Sequence, residues 1–161
     1  MVDSLLSTAT RRCLLIRTAG FAAGVAVSSA PLRAARATPQ AMQEAIRRIV
    51  GEAELQHGKV TLDVPPLVEN GNTVPLTVSV ESPMSEADHV KAIHIVNEKN
   101  PQPFVISTAI GPRAGRASLS TRIKLADSQE VVAVAEMSDG SFWSGSADVV
   151  VTIAACVEDL R

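Results

Sequence analysis

The chain has 161 residues, 46% of them hydrophobic and 20% charged, which is the composition of a single globular domain. Aromatic residues are scarce, with three Phe, one Trp and no Tyr, so the stacking platforms used to bind single-stranded nucleic acids are nearly absent. A formal net charge of -2 also argues against the basic surface that DNA-binding or RNA-binding proteins need.

The first 37 residues have the pattern of an export signal. Arg11 and Arg12 form a twin-arginine pair, an apolar run follows at 18–27, and the small-x-small sequence at 35–37 is a cleavage site. The apolar run is too short to span a membrane. The sequence therefore predicts a Tat signal peptide at 1–37 that is removed, export to the periplasm, and no membrane attachment after cleavage. The alternative is an uncleaved N-terminal helix.

Removal of this segment changes the charge and the cysteine count. Ten basic and sixteen acidic residues remain, a net charge of about -6, and Cys156 is then the one cysteine. A single cysteine in an oxidising compartment cannot form an internal disulfide, so it is a buried inert thiol, an intermolecular partner or a reactive group. Its place near the C-terminus makes burial the least favoured of these three.

The mature chain is predicted to begin with a helix. Thr38 can cap it, Pro39 suits the first helical position and Gly51 ends it. Apolar residues recur at helical spacing along one side, at Met42, Ala45, Ile46 and Ile49. We expect this stripe to pack against the rest of the domain or against a partner subunit.

From Gly58 onward, apolar and polar residues alternate with the period of β-strands. Turn-forming segments, among them 69–72 and 138–141, separate the alternating runs. Seven strands are predicted, at 60–64, 74–80, 90–96, 104–110, 118–125, 131–137 and 142–153. Their number and spacing predict an all-β, immunoglobulin-like antiparallel sandwich. Pro75, inside the second strand, predicts an edge strand or a bulge there.

The predicted domain organisation has three parts. The signal peptide occupies 1–37, the helix and sandwich occupy 38–153, and a C-terminal arm that carries Cys156 occupies 154–161. An arm of this kind can offer a thiol to the active site of another protein. The neighbouring carboxylates of Glu158 and Asp159 disfavour the reactive thiolate, so we expect its activation to come from that other protein.

No catalytic or metal-binding arrangement is recognisable in the sequence. His57 is predicted in a turn, and His89 and His94 on opposite sides of a strand. Blue-copper sites gather Cys, His and Met within one loop, whereas no His or Met follows Cys156. Phosphate-binding glycine loops and nucleophile elbows are also missing from the sequence. We therefore predict no metal, no cofactor and no enzymatic activity of its own.

Several stretches of the mature chain carry a specific pattern. They are 58–76, with the motif Glu-Asn-Gly-Asn-x-Val-Pro at 69–75, and the segments 121–126, 129–135 and 137–142. These stretches closely resemble SoxY, the sulfur-carrier family of the periplasmic thiosulfate-oxidising (Sox) system. The resemblance covers nearly the whole mature chain, and a Tat signal agrees with it because SoxY is exported folded, together with its partner SoxZ.

The resemblance implies a fold, a set of partners and a site. SoxY is an immunoglobulin-like sandwich paired with SoxZ, another small sandwich, and its C-terminal cysteine binds thiosulfate sulfur covalently. The cytochrome pair SoxAX loads that cysteine, the hydrolase SoxB releases sulfate, and further enzymes oxidise the remaining persulfide. By position, Cys156 would be the covalent attachment site for sulfur.

The arm differs from the usual family pattern, Gly-Gly-Cys-Gly-Gly. Cys156 lies between Ala154-Ala155 and Val157-Glu158. Glycine leaves the backbone free, whereas alanine and a β-branched valine make the arm stiffer and bulkier. It is similar to SoxY-related paralogues whose arm reads Ala-Ala-Cys-Ile-Glu.

Two functions remain open at this stage. The first is a sulfur carrier that works with a SoxZ-like subunit, with the cargo and the choice between heterodimer and homodimer undetermined. The second is a non-carrier binding or docking module in which Cys156 forms mixed disulfides. A Cys156→Ser change separates them, because carriage requires the thiol and docking through the sandwich does not.

Overall fold

The computed structural model describes residues 38–155, so the predicted signal peptide and the segment 156–161 lie outside the described residues. The described part forms one α-helix, one 3-10 turn at Pro112–Ala114 and nine strands. These elements are α1 (Pro39–Val50), β1 (Leu55–His57), β2 (Val60–Asp63), β3 (Leu67–Asn70), β4 (Val74–Val80), β5 (Val90–Asn97), β6 (Phe104–Ala109), β7 (Ser118–Ile123), β8 (Gln129–Met137) and β9 (Phe142–Ile153).

The strands form two sheets that enclose one apolar core. The larger sheet has the order β1-β9-β8-β5-β6, with β3 also pairing with β9, and the smaller sheet has the order β2-β4-β7. Alternate residues of both sheets point into the core, as the two-residue period requires. Among the fully buried side chains are Val74, Leu76, Val78, Ile93, Ile95, Leu125, Val131 and Val149. The predicted all-β sandwich with one short helix is confirmed.

Two short strands were not predicted, and both pair in parallel with β9. β1 places Leu55 beside Phe142, and β3 places Leu67 beside Val150. β1 is only three residues long, and β3 overlaps the segment interpreted as a turn. His57 therefore ends a strand, and its prediction as a turn residue is wrong.

Pro75 lies on β4, which is the central strand of the smaller sheet and pairs with β7 without a register shift, so the prediction of an edge strand or a bulge is wrong. β2 pairs with β4 only between Thr77 and Val80, whereas Pro75 lies opposite Arg122 of β7. The flank of Pro75 on the β2 side is thus locally free of ladder hydrogen bonds, which is why a residue without an N–H is tolerated there.

The helix α1 forms as predicted and covers the outer face of the larger sheet. The Ala41 N–H donates to the Thr38 hydroxyl at 3.2 Å, and the Gly51 N–H donates to the Arg47 carbonyl at 2.8 Å. Its buried residues Met42, Ala45 and Ile46 pack against the sheet. Their partners on the sheet are Val96, Val132, Val134 and Phe142. The apolar stripe of the helix is therefore buried against the sheet of its own domain. Within residues 38–155 no helix has both the length and the apolar character needed to cross a membrane.

His94 gives the stability of the domain a pH dependence. It lies half-buried on β5, its ring is 6.3 Å from that of Phe104, and its Nδ1 has no hydrogen-bond partner among the described residues. Burial lowers the pKa of His94, and the nearby Glu136 carboxylate opposes this effect. The unfolded chain therefore binds a proton more readily than the folded one, so stability decreases as the pH falls through the ordinary histidine range.

We expect a His94→Gln variant to lose less stability than the wild type between about pH 7.5 and about pH 5. The measurement is urea unfolding of both proteins at each pH, with the difference in unfolding free energy compared across the range. If the two proteins lost stability in parallel, His94 would not be the group responsible.

Candidate functional site: the root of the C-terminal arm

The described chain leaves the sandwich at the end of β9. Ile153 and Ala154 are exposed, whereas Ala155 is buried, with 7% of its surface accessible. We refer to Ile153–Ala155 as the arm root. The predicted attachment site Cys156 and the predicted arm residues Val157 and Glu158 follow it directly and lie outside the described residues.

Backbone hydrogen bonds tie the arm root to two other parts of the chain. The Gly71 N–H donates to the Ile153 carbonyl at 2.8 Å, and the Leu125 N–H donates to the Gly71 carbonyl at 2.8 Å. The Ala155 N–H then donates to the Leu125 carbonyl at 3.0 Å. The turn after β3, the loop after β7 and the arm root therefore meet at one point, and the chain is held as far as Ala155.

Gly71 allows this close approach because it has no side chain. A Cβ atom at this position would lie 2.4 Å from the Leu125 carbonyl oxygen and 2.8 Å from the Ala155 nitrogen. Both are backbone atoms, so neither can move aside cheaply. The turn is also shaped by Asn70, whose side-chain oxygen accepts a hydrogen bond from the Asn72 N–H at 3.0 Å.

Asn100 supports the Leu125 loop from the other side. Its Nδ2 donates to the Lys124 carbonyl at 2.8 Å, and its Oδ1 accepts from the Ala126 N–H at 2.9 Å. Gln129, which is buried, donates from Nε2 to the same Asn100 oxygen at 2.9 Å. The backbone on both sides of Leu125 is therefore fixed by one side-chain amide.

Removal of this amide should weaken the whole end of the sandwich. We expect Asn100→Ala to lower the free energy of unfolding by about 1–3 kcal/mol, because it leaves backbone and side-chain groups without hydrogen-bond partners. Urea unfolding measures the loss. The matched control is Lys124→Ala, which removes an exposed side chain and keeps the carbonyl, and should change stability by no more than about 0.5 kcal/mol. Equal stability of the two variants would contradict the assignment.

A further side chain holds the C-terminal end of β9. The Ser128 hydroxyl accepts a hydrogen bond from the Val151 N–H at 2.9 Å. Together with the parallel pairing of β3 with β9, this contact fixes the strand that delivers the arm. Sequence reasoning did not connect Asn100, Leu125, Ser128 or Gly71 with the arm. It predicted Leu125 at the end of a strand, whereas the strand ends at Ile123, and it interpreted Gly71 as a turn residue. The motif at 69–75 and the segment 121–126 were the signals that pointed to this region.

The three histidines do not form a site in the described part of the chain. His57 Nδ1 lies 3.1 Å from the Ser144 hydroxyl, and His89 Nδ1 lies 3.1 Å from the Ser85 carbonyl. His94 faces Phe104 instead. Among residues 38–155, no cluster of three or more His, Cys, Asp or Glu side chains is arranged to hold a metal ion.

Comparison with known families identifies the chain. The family model described as sulfur oxidation protein SoxY matches residues 46–156. The chain belongs to the SoxY family. The matched region includes the whole sandwich, the arm root and, as its last residue, Cys156.

Solved structures agree with this assignment. The sulfur carrier protein SoxY from Chlorobium limicola f thiosulfatophilum is 27% identical, with a TM-score of 0.60, over 71% of this chain and 98% of that one. A search of curated protein sequences found no significant match.

Superoxide reductases have the same fold at lower identity. The neelaredoxin from Ignicoccus hospitalis is 17% identical, with a TM-score of 0.53, over 58% of this chain and 80% of that one. The superoxide reductase from Nanoarchaeum equitans is 11% identical, with a TM-score of 0.51, over 60% of this chain and 100% of that one. At these identities the likeness concerns the fold alone, which in the SoxY family supports a different function.

Proposed function

We propose that this SoxY-family protein is a periplasmic sulfur carrier that binds sulfur intermediates covalently on Cys156 and presents them to sulfur-oxidising enzymes. The observation that carries the proposal is the family match, which extends over 46–156 and therefore ends on this cysteine. The 27% identity with a sulfur carrier SoxY over nearly all of that protein supports it. The protein acts as a carrier and the catalysis belongs to its partners.

The chemistry requires only a thiol and suitable donors. When the donor is a persulfide, the Cys156 thiolate attacks its outer sulfur, a new S–S bond forms and the donor leaves as a thiolate, with no net oxidation. When the donor is thiosulfate, formation of the S–S bond releases two electrons, which a SoxAX-like cytochrome would accept. A SoxB-like hydrolase would then add water to the terminal sulfonate group, release sulfate and leave a persulfide on Cys156.

We propose further that the protein is exported through its Tat signal at 1–37 and works as a complex with a SoxZ-like subunit. Family membership supports a Sox partner in general. Ile153 of the arm root is an exposed apolar side chain, as are Leu67 and Val150 on the paired strands β3 and β9, and these side chains are consistent with a protein contact at that end of the sandwich. A homodimer is the alternative assembly.

The second candidate function is a docking module that uses the same fold and in which Cys156 forms mixed disulfides. The observation that favours it is the burial of Ala155, whose N–H also bonds to the Leu125 carbonyl, so that the arm root is anchored on the sandwich. An anchored arm root is compatible with stable docking to a partner protein as well as with the transfer of sulfur.

The adduct on Cys156 distinguishes these functions. The mature protein is isolated from the periplasm of cells that are oxidising reduced sulfur, and its intact mass is measured with and without a reductant, followed by fragmentation. We expect an added mass of whole sulfur atoms, or of a thiosulfate-derived group, on the Cys156 peptide, and its loss on reduction. An unmodified thiol, or only disulfides to other proteins, would contradict carriage, and the disulfides would support docking.

A further inference from the structure

We infer that Gly71 is a positioning residue that locks the arm root to the sandwich, so that the segment presented to another protein begins only at Cys156. The inference deepens the proposed function and rests on it for its consequence in carriage, whereas the lock itself rests on the described residues. Three backbone hydrogen bonds form the lock, and Gly71 takes part in two of them.

The space around Gly71 shows why the lock depends on this residue. The Leu125 carbonyl oxygen and the Ala155 nitrogen form the hydrogen bond that holds the arm root, and both lie within 3 Å of where a Cβ atom would be. Any side chain at position 71 would therefore wedge these two atoms apart. Gly71 does not have a positive φ value, so the site uses its missing side chain and not its wider range of backbone conformations.

The lock limits how far the thiol can reach. One residue of extended chain spans at most about 3.6 Å, so a cysteine that directly follows a fixed Ala155 stays close to the end of the sandwich. Release of the root back to Ile153 would add two residues, or about 7 Å of reach. A partner enzyme must therefore bring its site to this end of the domain or open the bond between Ala155 and Leu125.

The test compares Gly71→Ala with a variant that has similar strain elsewhere. Gly145 is the matched control, because a Cβ atom there would lie 2.3 Å from the Val60 carbonyl oxygen, near the opposite end of β9. Gly111→Ala is the unstrained control, since nothing lies within 4 Å of a Cβ atom at that position. All variants are made in the mature protein with Cys156 reduced.

Two measurements report on the lock and require no sulfur chemistry. We expect the Ala155 amide in Gly71→Ala to exchange its hydrogen about tenfold faster than in the wild type, because its hydrogen bond is broken. The ratio of Cys156 alkylation by a bulky maleimide to that by iodoacetamide should also rise by several-fold, since a freed root gives large reagents more room. Gly145→Ala and Gly111→Ala should leave both readouts unchanged.

A second variant keeps the inference testable if Gly71→Ala does not fold. Ala155→Pro removes the N–H that donates to Leu125 and leaves Gly71 unchanged, and it should raise the alkylation ratio in the same direction. If Gly71→Ala changed neither the exchange rate of the Ala155 amide nor the alkylation ratio, the lock would be overturned. An equal rise of both quantities in Gly145→Ala would overturn it as well. Failure of the proposed function would appear separately, as the absence of a sulfur adduct on a protein whose root is locked.

Discussion

Replacement of Cys156 by serine should abolish sulfur loading completely and stop growth that depends on the reduced sulfur compound. Cys156 is the one cysteine that remains after the predicted signal is removed, and a serine hydroxyl cannot form the S–S bond on which carriage depends. The measurement is intact mass of the protein from cells that carry the variant, together with their growth rate. Binding to a SoxZ-like partner should survive, because the sandwich is unchanged.

Ala154→Ser is the matched control for this prediction. It places the same hydroxyl group on the exposed position of the arm root while the thiol is kept. We expect it to load sulfur as the wild type does. A reductant-labile sulfur adduct on the Cys156→Ser protein, or undiminished growth of its host, would contradict the assignment of Cys156.

Truncation of a central core residue should have the largest effect on stability. Leu76 lies on β4 with 2% of its surface accessible and packs among side chains from both sheets. We expect Leu76→Ala to lower the free energy of unfolding by about 2–5 kcal/mol, from the lost apolar burial and the cavity that remains. A domain of this size has only about 5–15 kcal/mol in total, so a large part of the population could unfold at growth temperature.

Leu67→Ala is the matched control for the core. It removes the same atoms from a side chain that is 64% exposed on β3, and should change stability by no more than about 0.5 kcal/mol. Urea unfolding of both variants and the wild type provides the comparison. Similar losses for the two leucines would mean that the core is not organised around β4.

Much of the sandwich could be predicted because its physical signal is local. Alternation of apolar and polar residues in 74–80 reflects a strand with one buried face, and the continuous apolar run at 131–135 reflects a strand buried on both faces. Thr38, Pro39 and Gly51 mark the helix ends through their own backbone preferences. The parallel strands β1 and β3 were missed because each is short and forms only by pairing with β9, which is distant in the sequence.

Pro75 shows how a sound local rule can give a wrong strand position. Proline does avoid positions that must donate to a neighbouring strand, but β2 is too short to reach Pro75, so a central strand accommodates it. The length of the neighbouring strand decided the outcome, and that length is not visible in the residues around Pro75.

The arm root could be predicted only in part. Asn70-Gly71-Asn72 was recognised as a turn, and Cys156 was singled out by its position and by the resemblance to SoxY. The contacts of Gly71 with Leu125 and Ala155 join three distant segments, so no local pattern indicates them. The family motif at 69–75 thus contains Gly71, one of the residues that hold the arm root. Sequence reasoning had used this motif only to recognise the family.

The most direct test of sulfur carriage is turnover at Cys156. Cells that express the native protein receive a pulse of thiosulfate labelled in its outer sulfur and then an unlabelled chase, and the mass of the Cys156 peptide is followed over time. A carrier should gain the label during the pulse and lose it during the chase as sulfur is oxidised. Label that never reaches Cys156, or that enters and stays there through the chase, would contradict the proposal.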